Sequence, residues 1–297
     1  MFALALIGLC FWLFNALIGL FVESWLGAAL VLLAYYALLE GWHHADMLRS
    51  ESWRGGPFAR FVRHWFDVEF DTKAVEQLCR IDTEMPGEQF VFACEPHAPQ
   101  CLHMALGFAA HGGALPSRLA CNIRVVAHTA TRFIPLLREL LSIYGVVDSS
   151  RRTMEDIFRS GLSVAVVPSG VYGKEHALLD EPCPHTVTVY RHQQRFGFLA
   201  LAVRHGAHIV PVLSPDEPGA YSMYNRLWRA WPFVLPIGRQ IIAPQQPVRI
   251  YVGEPIETNK YNADDVESMQ ALAARYYKEL AALAPPHYTV CFRYIED

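Results

Sequence analysis

A chain of 297 residues with a formal net charge of −4 and only 18% charged residues lacks the basic balance that a nucleic-acid partner requires. Its hydrophobic fraction of 53% and mean hydropathy of +0.16 are high for a soluble enzyme. Seven cysteines, an odd count with no C-x-x-C pair, argue against a disulfide framework or zinc ribbon and favour a reducing, cytosol-facing compartment.

The excess hydropathy sits at the start. Residues 1–39 carry one charge, Glu23, flanked by apolar runs at 1–22 and 25–39. At ~1.5 Å per residue the first run spans roughly 33 Å, enough for the hydrocarbon core of a bilayer. The pattern predicts a transmembrane helical hairpin over 1–41, bent at Glu23-Ser24, because an ionised Glu belongs at a polar boundary. A single long, kinked anchor is the alternative. A signal peptide fits poorly, since the stretch has no basic n-region and is too long. Arg49, Arg54, Arg60 and Arg63 follow the second run and predict a cytosolic flank. Residues 42–72 mix His43, His44, Trp53, Trp65 and Phe66 with those arginines. They read either as an interfacial linker or as a solvated linker with a few core aromatics.

From 73 to 297 strands and helices alternate, which predicts one α/β domain with helices on the faces of a sheet. Short apolar runs at 90–94, 123–127, 164–168, 209–213 and 248–252 read as buried strands. A helix is expected after Ser149-Ser150, with Met154, Ile157 and Phe158 on one face and Gly161 as its stop. A second runs from about 194 to 205 and stops at Gly206. The last takes Asn262 as N-cap, lines up Val266, Met269, Leu272, Tyr276, Leu280 and Leu283, and ends at Pro285-Pro286. Residues 221–240 crowd Tyr221, Tyr224, Trp228, Trp231 and Phe233 beside Arg226 and Arg229. A lipid-contacting segment and a buried core helix both fit.

The strand at 90–94 runs directly into Glu95-Pro96-His97-Ala98-Pro99. A histidine just past a strand's carboxyl end stands where α/β sheets place their sites. Neutral imidazole can take a proton from an alcohol near neutral pH, so His97 is a candidate general base, with a structural histidine as the bland alternative. A serine hydrolase is a poor fit: around Ser169 the two glycines of G-x-S-x-G are replaced by Val167 and Val171. Despite thirteen histidines there is no H-E-x-x-H, and neither a P-loop nor G-x-G-x-x-G occurs, so no metal and no resident cofactor are expected.

These motifs resemble the type-2 diacylglycerol acyltransferase family, which includes monoacylglycerol and wax-alcohol acyltransferases. Glu95-Pro96-His97-Ala98 is similar to the family's His-Pro-His-Gly block, which also occurs as Glu-Pro-His-Ser. Arg195-Phe-Gly197-Phe198, Ala202, Gly206-Ala207 and Val210-Pro211-Val212 resemble its long R-x-G-F-x-x-x-A-x-x-x-G-A-x-x-V-P block. Val166-Val-Pro168-Ser169-Gly170 is similar to its Pro-Gly-Gly turn, and Gly145 to Arg151 and Tyr251 to Ile256 resemble two further stretches. Trp53-Arg54-Gly55-Gly56 and the N-terminal hairpin also fit. Departures are Ser169 for the first Gly of the turn, Ala98 for Gly or Ser, and Leu213-Ser-Pro-Asp216-Glu217 where the family has Phe-Gly-Glu or Phe-Gly-Gln.

The resemblance implies a glycerolipid-acyltransferase-like sheet with flanking helices and direct attack of a lipid hydroxyl on acyl-CoA. His97 is then the base. Ser169 and Gly170 offer backbone N–H groups to the thioester oxyanion, while Arg195, in the Gly197 motif, meets CoA phosphate; Arg151 reads as solvated surface. Related acyltransferases orient their histidine with an Asp five residues on, but that position here is Leu102. Glu217 is the favoured orienting carboxylate, with Glu95 as a structural or substrate-contacting group. Acyl-CoA, a lipid hydroxyl and the bilayer are the implied partners, and a homo-oligomer is left open. The implied product is triacylglycerol from diacylglycerol, with wax ester or acylated monoacylglycerol as alternatives and a non-enzymatic lipid-binding protein as the rival class. The implied setting is the endoplasmic reticulum membrane, with the catalytic domain facing the cytosol, or the lipid droplet.

Overall fold

A computed structural model describes residues 33–34, 49–98, 101–134, 137–170, 173, 185–192, 196–220, 222–223, 236–237 and 246–295. The expected hairpin over 1–41, Arg195 and most of 221–240 lie outside the described residues. Among the described residues no helix is long and apolar enough to cross a membrane.

The strands are β1 (Val68–Phe70), β2 (Phe90–Glu95), β3 (Ile123–Ala127), β4 (Val146–Asp148), β5 (Ser163–Val166), β6 (Thr186–His192), β7 (His208–Leu213), β8 (Ser222–Met223), β9 (Pro236–Ile237), β10 (Val248–Val252) and β11 (Thr289–Ile295). The helices are α1 (Glu51–Arg54), α2 (Pro57–Trp65), α3 (Thr72–Glu84), α4 (Ser117–Asn122), α5 (Leu137–Ile143), α6 (Arg151–Arg159), α7 (Gly197–His205) and α8 (Val266–Ala282), with a π-helix at His103–Ala109. One sheet of seven strands runs in the order β1-β10-β7-β2-β5-β3-β4. β7, β2, β5, β3 and β4 are mutually parallel, whereas β10 is antiparallel to β7 and carries β1 parallel to itself. β6 and β11 form a separate parallel pair.

Every residue of β2 is buried, the signature of a parallel strand covered on both faces. The alternation of its side chains divides the core. Phe90, Phe92 and Cys94 join the cluster containing α3, the π-helix and α4, while Val91 and Ala93 join the cluster containing α6, α7 and α8. Phe108 of the π-helix packs edge-on to Phe70 and at 5.3 Å from Phe92, fixing the π-helix against the sheet.

The expected strands all form, with small shifts in extent. α6 is capped by Ser150, which accepts from the Thr153 N–H, and buries Met154, Ile157 and Phe158. α7 ends at Gly206 with φ 65°, a left-handed conformation that glycine adopts without steric cost. The last helix differs from expectation: its N-cap is Asp265, which accepts from the N–H groups of Glu267 and Ser268. Asn262 instead receives the Asp264 N–H in a local turn, and Val266, expected on the buried stripe, is exposed. Two competing caps three residues apart are separable only by the packing that follows.

Arg54 is the buried hub beneath this layer. Its guanidinium donates to the carbonyls of Ala109, Phe108, Ala120 and Ile123 and to Glu51. It therefore satisfies the C-terminal end of the π-helix, the last turn of α4 and the start of β3 at once.

Candidate active site

Three adjacent parallel strands, β5, β2 and β7, end at one edge of the sheet, and the chain leaves each of them there. β2 delivers Glu95 and His97, β5 leads to Ser169, and β7 leads to Ser214 and Glu217. The chain crosses from β2 to β3 and β4 on one side and later returns to β7 on the other. This edge is thus the kind of switch point at which open α/β sheets collect their ligands.

Glu95 is fully buried at the end of β2. Its carboxylate accepts from the Ser169 N–H at 2.9 Å and the Ser169 hydroxyl at 3.0 Å, and also from the His97 N–H. Burial pushes its pKa up to about 8 against the pull of those three hydrogen bonds. The carboxyl thereby ties the end of β2 to the turn after β5. Ser214 N–H donates to the Glu95 carbonyl at 2.8 Å and ties in β7 as well.

His97 is half-buried. Its Nδ1 lies 3.0 Å from the Ala98 carbonyl. A carbonyl only accepts, so in the tautomer that makes this bond Nδ1 carries the hydrogen and Nε2 keeps the lone pair that takes up a proton. The sulfur of Cys101 lies 3.3 Å from Nδ1 and 3.9 Å from Nε2, and its S–H donates to the Ala98 carbonyl at 3.2 Å. Gly173 closes the site from the Ser169 side. A Cβ there would come within 2.5 Å of the Ser169 Oγ and 3.5 Å of the His97 Cβ, so only glycine lets the backbone approach this closely.

Glu217 is buried but serves a different group. Its carboxylate accepts from the Leu102 and His103 N–H groups and pairs with Nδ1 of His103. The expected pairing with His97 is thus corrected. The loop after β7 turns toward the π-helix, where unsatisfied N–H groups and the helix dipole attract a carboxylate. Asp216 beside it holds the opposite flank, receiving the Tyr288 hydroxyl at 2.7 Å and the Arg249 N–H at 3.2 Å.

The Ser169-Gly170 turn also departs from expectation. The Ser169 N–H is given to Glu95 and the Gly170 N–H to the Val167 carbonyl at 3.1 Å. Both donors expected for an oxyanion are therefore committed, and the turn acts as a brace for Glu95. Gly197 sits exposed at the first position of α7. Arg151 is exposed and paired with Glu155 at 2.8 Å.

Glu95, His97 and Ser169 therefore come together, Glu217 joins the adjoining His103 cluster, and Arg195 lies outside the described residues. Sequence reading does not single out Cys101 or Gly173, and it sets His103 aside as facing a helix or loop, where it lies at the start of the π-helix. Only Cys101 carried a signal, as a nucleophile four residues after a candidate base.

Fold and site together define an α/β protein that presents an imidazole at the carboxyl edge of its central strand. Comparison with known proteins narrows this class. Residues 19–229 match the family model described as diacylglycerol acyltransferase, and the chain belongs to that family. Among its relatives, diacylglycerol O-acyltransferase 2 of Xenopus tropicalis is 26% identical over 262 residues, covering 78% of this chain and 70% of that protein. The 2-acylglycerol O-acyltransferase 1 of Bos taurus is 24% identical over 308 residues, covering 93% and 89%. The crystal structure of the 1-acyl-sn-glycerophosphate acyltransferase of Thermotoga maritima aligns with a TM-score of 0.42 at 15% identity, covering 85% of this chain and 94% of that one.

Proposed function

We propose that this protein transfers a fatty acyl group from acyl-CoA to the free hydroxyl of diacylglycerol, giving triacylglycerol, with His97 as the base. The observation that carries the reading is the imidazole after β2, whose tautomer the Ala98 carbonyl sets so that Nε2 is the basic nitrogen. The hydroxyl loses its proton to Nε2 as its oxygen bonds to the acyl carbonyl carbon. The proton then goes to the departing thioester sulfur, so His97 ends as it began. Arg195 is the proposed contact for CoA phosphate, on the strength of its motif alone.

Monoacylglycerol is the second acceptor to consider, since the bovine relative that spans most of this chain is named for 2-acylglycerol. Both acceptors live in a bilayer, and the apolar residues 1–39 are the proposed anchor, as a hairpin with the domain on the cytosolic side of the endoplasmic reticulum. α2 supports an interfacial seat. Phe58, Phe61 and Trp65 are 57%, 59% and 46% exposed and recur along one side of the helix, with Arg60 beside them.

The test expresses the full chain in cells lacking neutral-lipid synthesis and supplies labelled acyl-CoA with diacylglycerol, monoacylglycerol or a long-chain alcohol. Labelled triacylglycerol is expected, falling on the order of 10²- to 10⁴-fold in His97→Ala while the variant remains in the membrane. Turnover that survives in His97→Ala would remove His97 as the base.

A further inference from the structure

We propose that Cys101 is a catalytic nucleophile that carries the acyl group between acyl-CoA and the lipid acceptor, so that transfer proceeds in two displacements on one histidine. The inference rests on His97 being the base of the acyl transfer. It adds a covalent stage that the sequence motifs, read as direct attack, do not contain.

Three observations place the thiol in the reaction. Its sulfur lies within 4 Å of both ring nitrogens of His97, the juxtaposition of nucleophile and base from which acyl-enzymes form. Cys101 is partly exposed, unlike Cys94, which is fully buried in the sheet and whose thiol burial pushes far up. Finally, Cys101 adopts φ 47°, a conformation in which glycine is the unstrained choice and a side chain is disfavoured. A β-carbon and sulfur are nevertheless held there, turned onto the imidazole at the exit of the central strand.

The neighbouring groups fit this role. With Nδ1 given to the Ala98 carbonyl, the base is Nε2, 3.9 Å from the sulfur. The residue after Cys101 begins the helical turn whose first N–H groups are gripped by buried Glu217, so the thiol stands on a fixed support. The bonds balance as follows. Cys101 S–H gives its proton to Nε2, its sulfur bonds to the acyl carbon, and the bond from that carbon to CoA sulfur breaks, with CoA sulfur taking the proton from His97. The acceptor hydroxyl next gives its proton to Nε2, and its oxygen bonds to the acyl carbon. The Cys101–acyl bond then breaks and the thiol is restored with the proton from His97. The first stage exchanges one thioester for another, and only the second, thioester to oxygen ester, runs downhill.

The experiment uses the full chain in membranes, given a labelled long-chain acyl-CoA without acceptor, quenched in acid and digested for mass spectrometry. Turnover with diacylglycerol, monoacylglycerol and long-chain alcohol is measured on the same preparation. The expected result is an acid-stable, hydroxylamine-labile acyl group on the peptide containing Cys101, discharged on adding acceptor at least as fast as steady-state turnover. Label should be lost in Cys101→Ala and, because the base is gone, in His97→Gln. Turnover of Cys101→Ala should fall on the order of 10²-fold. Cys101→Ser, nearly isosteric, should trap an ester that discharges slowly, which separates a chemical defect from a folding one. Wild-type turnover without label on Cys101, or a label that does not discharge, overturns the covalent stage and leaves direct attack of the acceptor hydroxyl on acyl-CoA, with His97 as base. Neither label nor turnover with any acceptor overturns both the covalent stage and the proposed function beneath it.

Discussion

Glu95 shows how one side chain sets the electrostatics of this site. The carboxyl has no solvent around it, so its charged form is disfavoured even though three donors surround it. Its folded-state pKa of about 8 lies above the ordinary value of 4.5. A raised pKa means the folded protein binds the extra proton. The associated stability is complete below about pH 4.5 and is lost as pH rises through about 8. Glu95→Gln mimics the neutral form and removes that dependence. Its melting temperature relative to wild type should therefore climb between about pH 5 and about pH 9. A constant difference across that range would show that Glu95 is ionised in the folded protein. His103 makes the complementary point. It is fully buried, uses Nδ1 on Glu217 and leaves Nε2 with no hydrogen-bond partner among the described residues, a polar cost accepted to hold the π-helix.

At the scale of elements, the site depends on a π-helix that does not begin or end on its own terms. Its start is gripped by Glu217 from the β7 loop and its end by Arg54 from α1. Arg54 offers a planar fork to carbonyls from three separate elements, a geometry that a lysine ammonium cannot reproduce. Removing the guanidinium leaves those carbonyls buried and unpaired. Arg54→Ala is expected to lose about 3–5 kcal/mol of stability, with Arg54→Lys rescuing only part of it. Denaturant titration of the purified chain in detergent checks this. A loss below about 1 kcal/mol in the alanine variant would mean that water satisfies the carbonyls.

At the scale of the whole molecule, the proposed transfer to a bilayer-borne acceptor requires the site to be held at a membrane. The apolar segment 1–39 and the aromatic side of α2 are the two features that would hold it there. Deleting residues 1–40 should lower activity on bilayer-borne acceptor by roughly tenfold or more, because tethering raises the effective acceptor concentration. Activity on a detergent-dispersed short-chain acceptor should fall less. Equal loss on both acceptors would instead make the segment part of the domain's own stability.

The sequence by itself determined the elements with a strong local cause. The strands at 90–94, 123–127 and 209–213 follow from unbroken apolar runs, α6 from its Ser150 cap and apolar face, and the stop of α7 from Gly206. Position in sequence also singled out His97, because a strand that ends in a Pro-bounded histidine leaves little freedom for where the imidazole stands. Tertiary structure alone decided which strands neighbour which, and therefore which carboxylate meets which partner. Placing β5 and β7 on either side of β2 gives Ser169 to Glu95 and sends Glu217 to His103. Three-residue strands such as β1 and β4 were invisible for the same reason: with two apolar residues each they are too short to show a pattern, and they are strands only because a neighbour pairs with them. The contact of Cys101 with His97 depends on a backbone turn at φ 47° that no local pattern encodes, since its strain is borne by the packing of the whole catalytic edge.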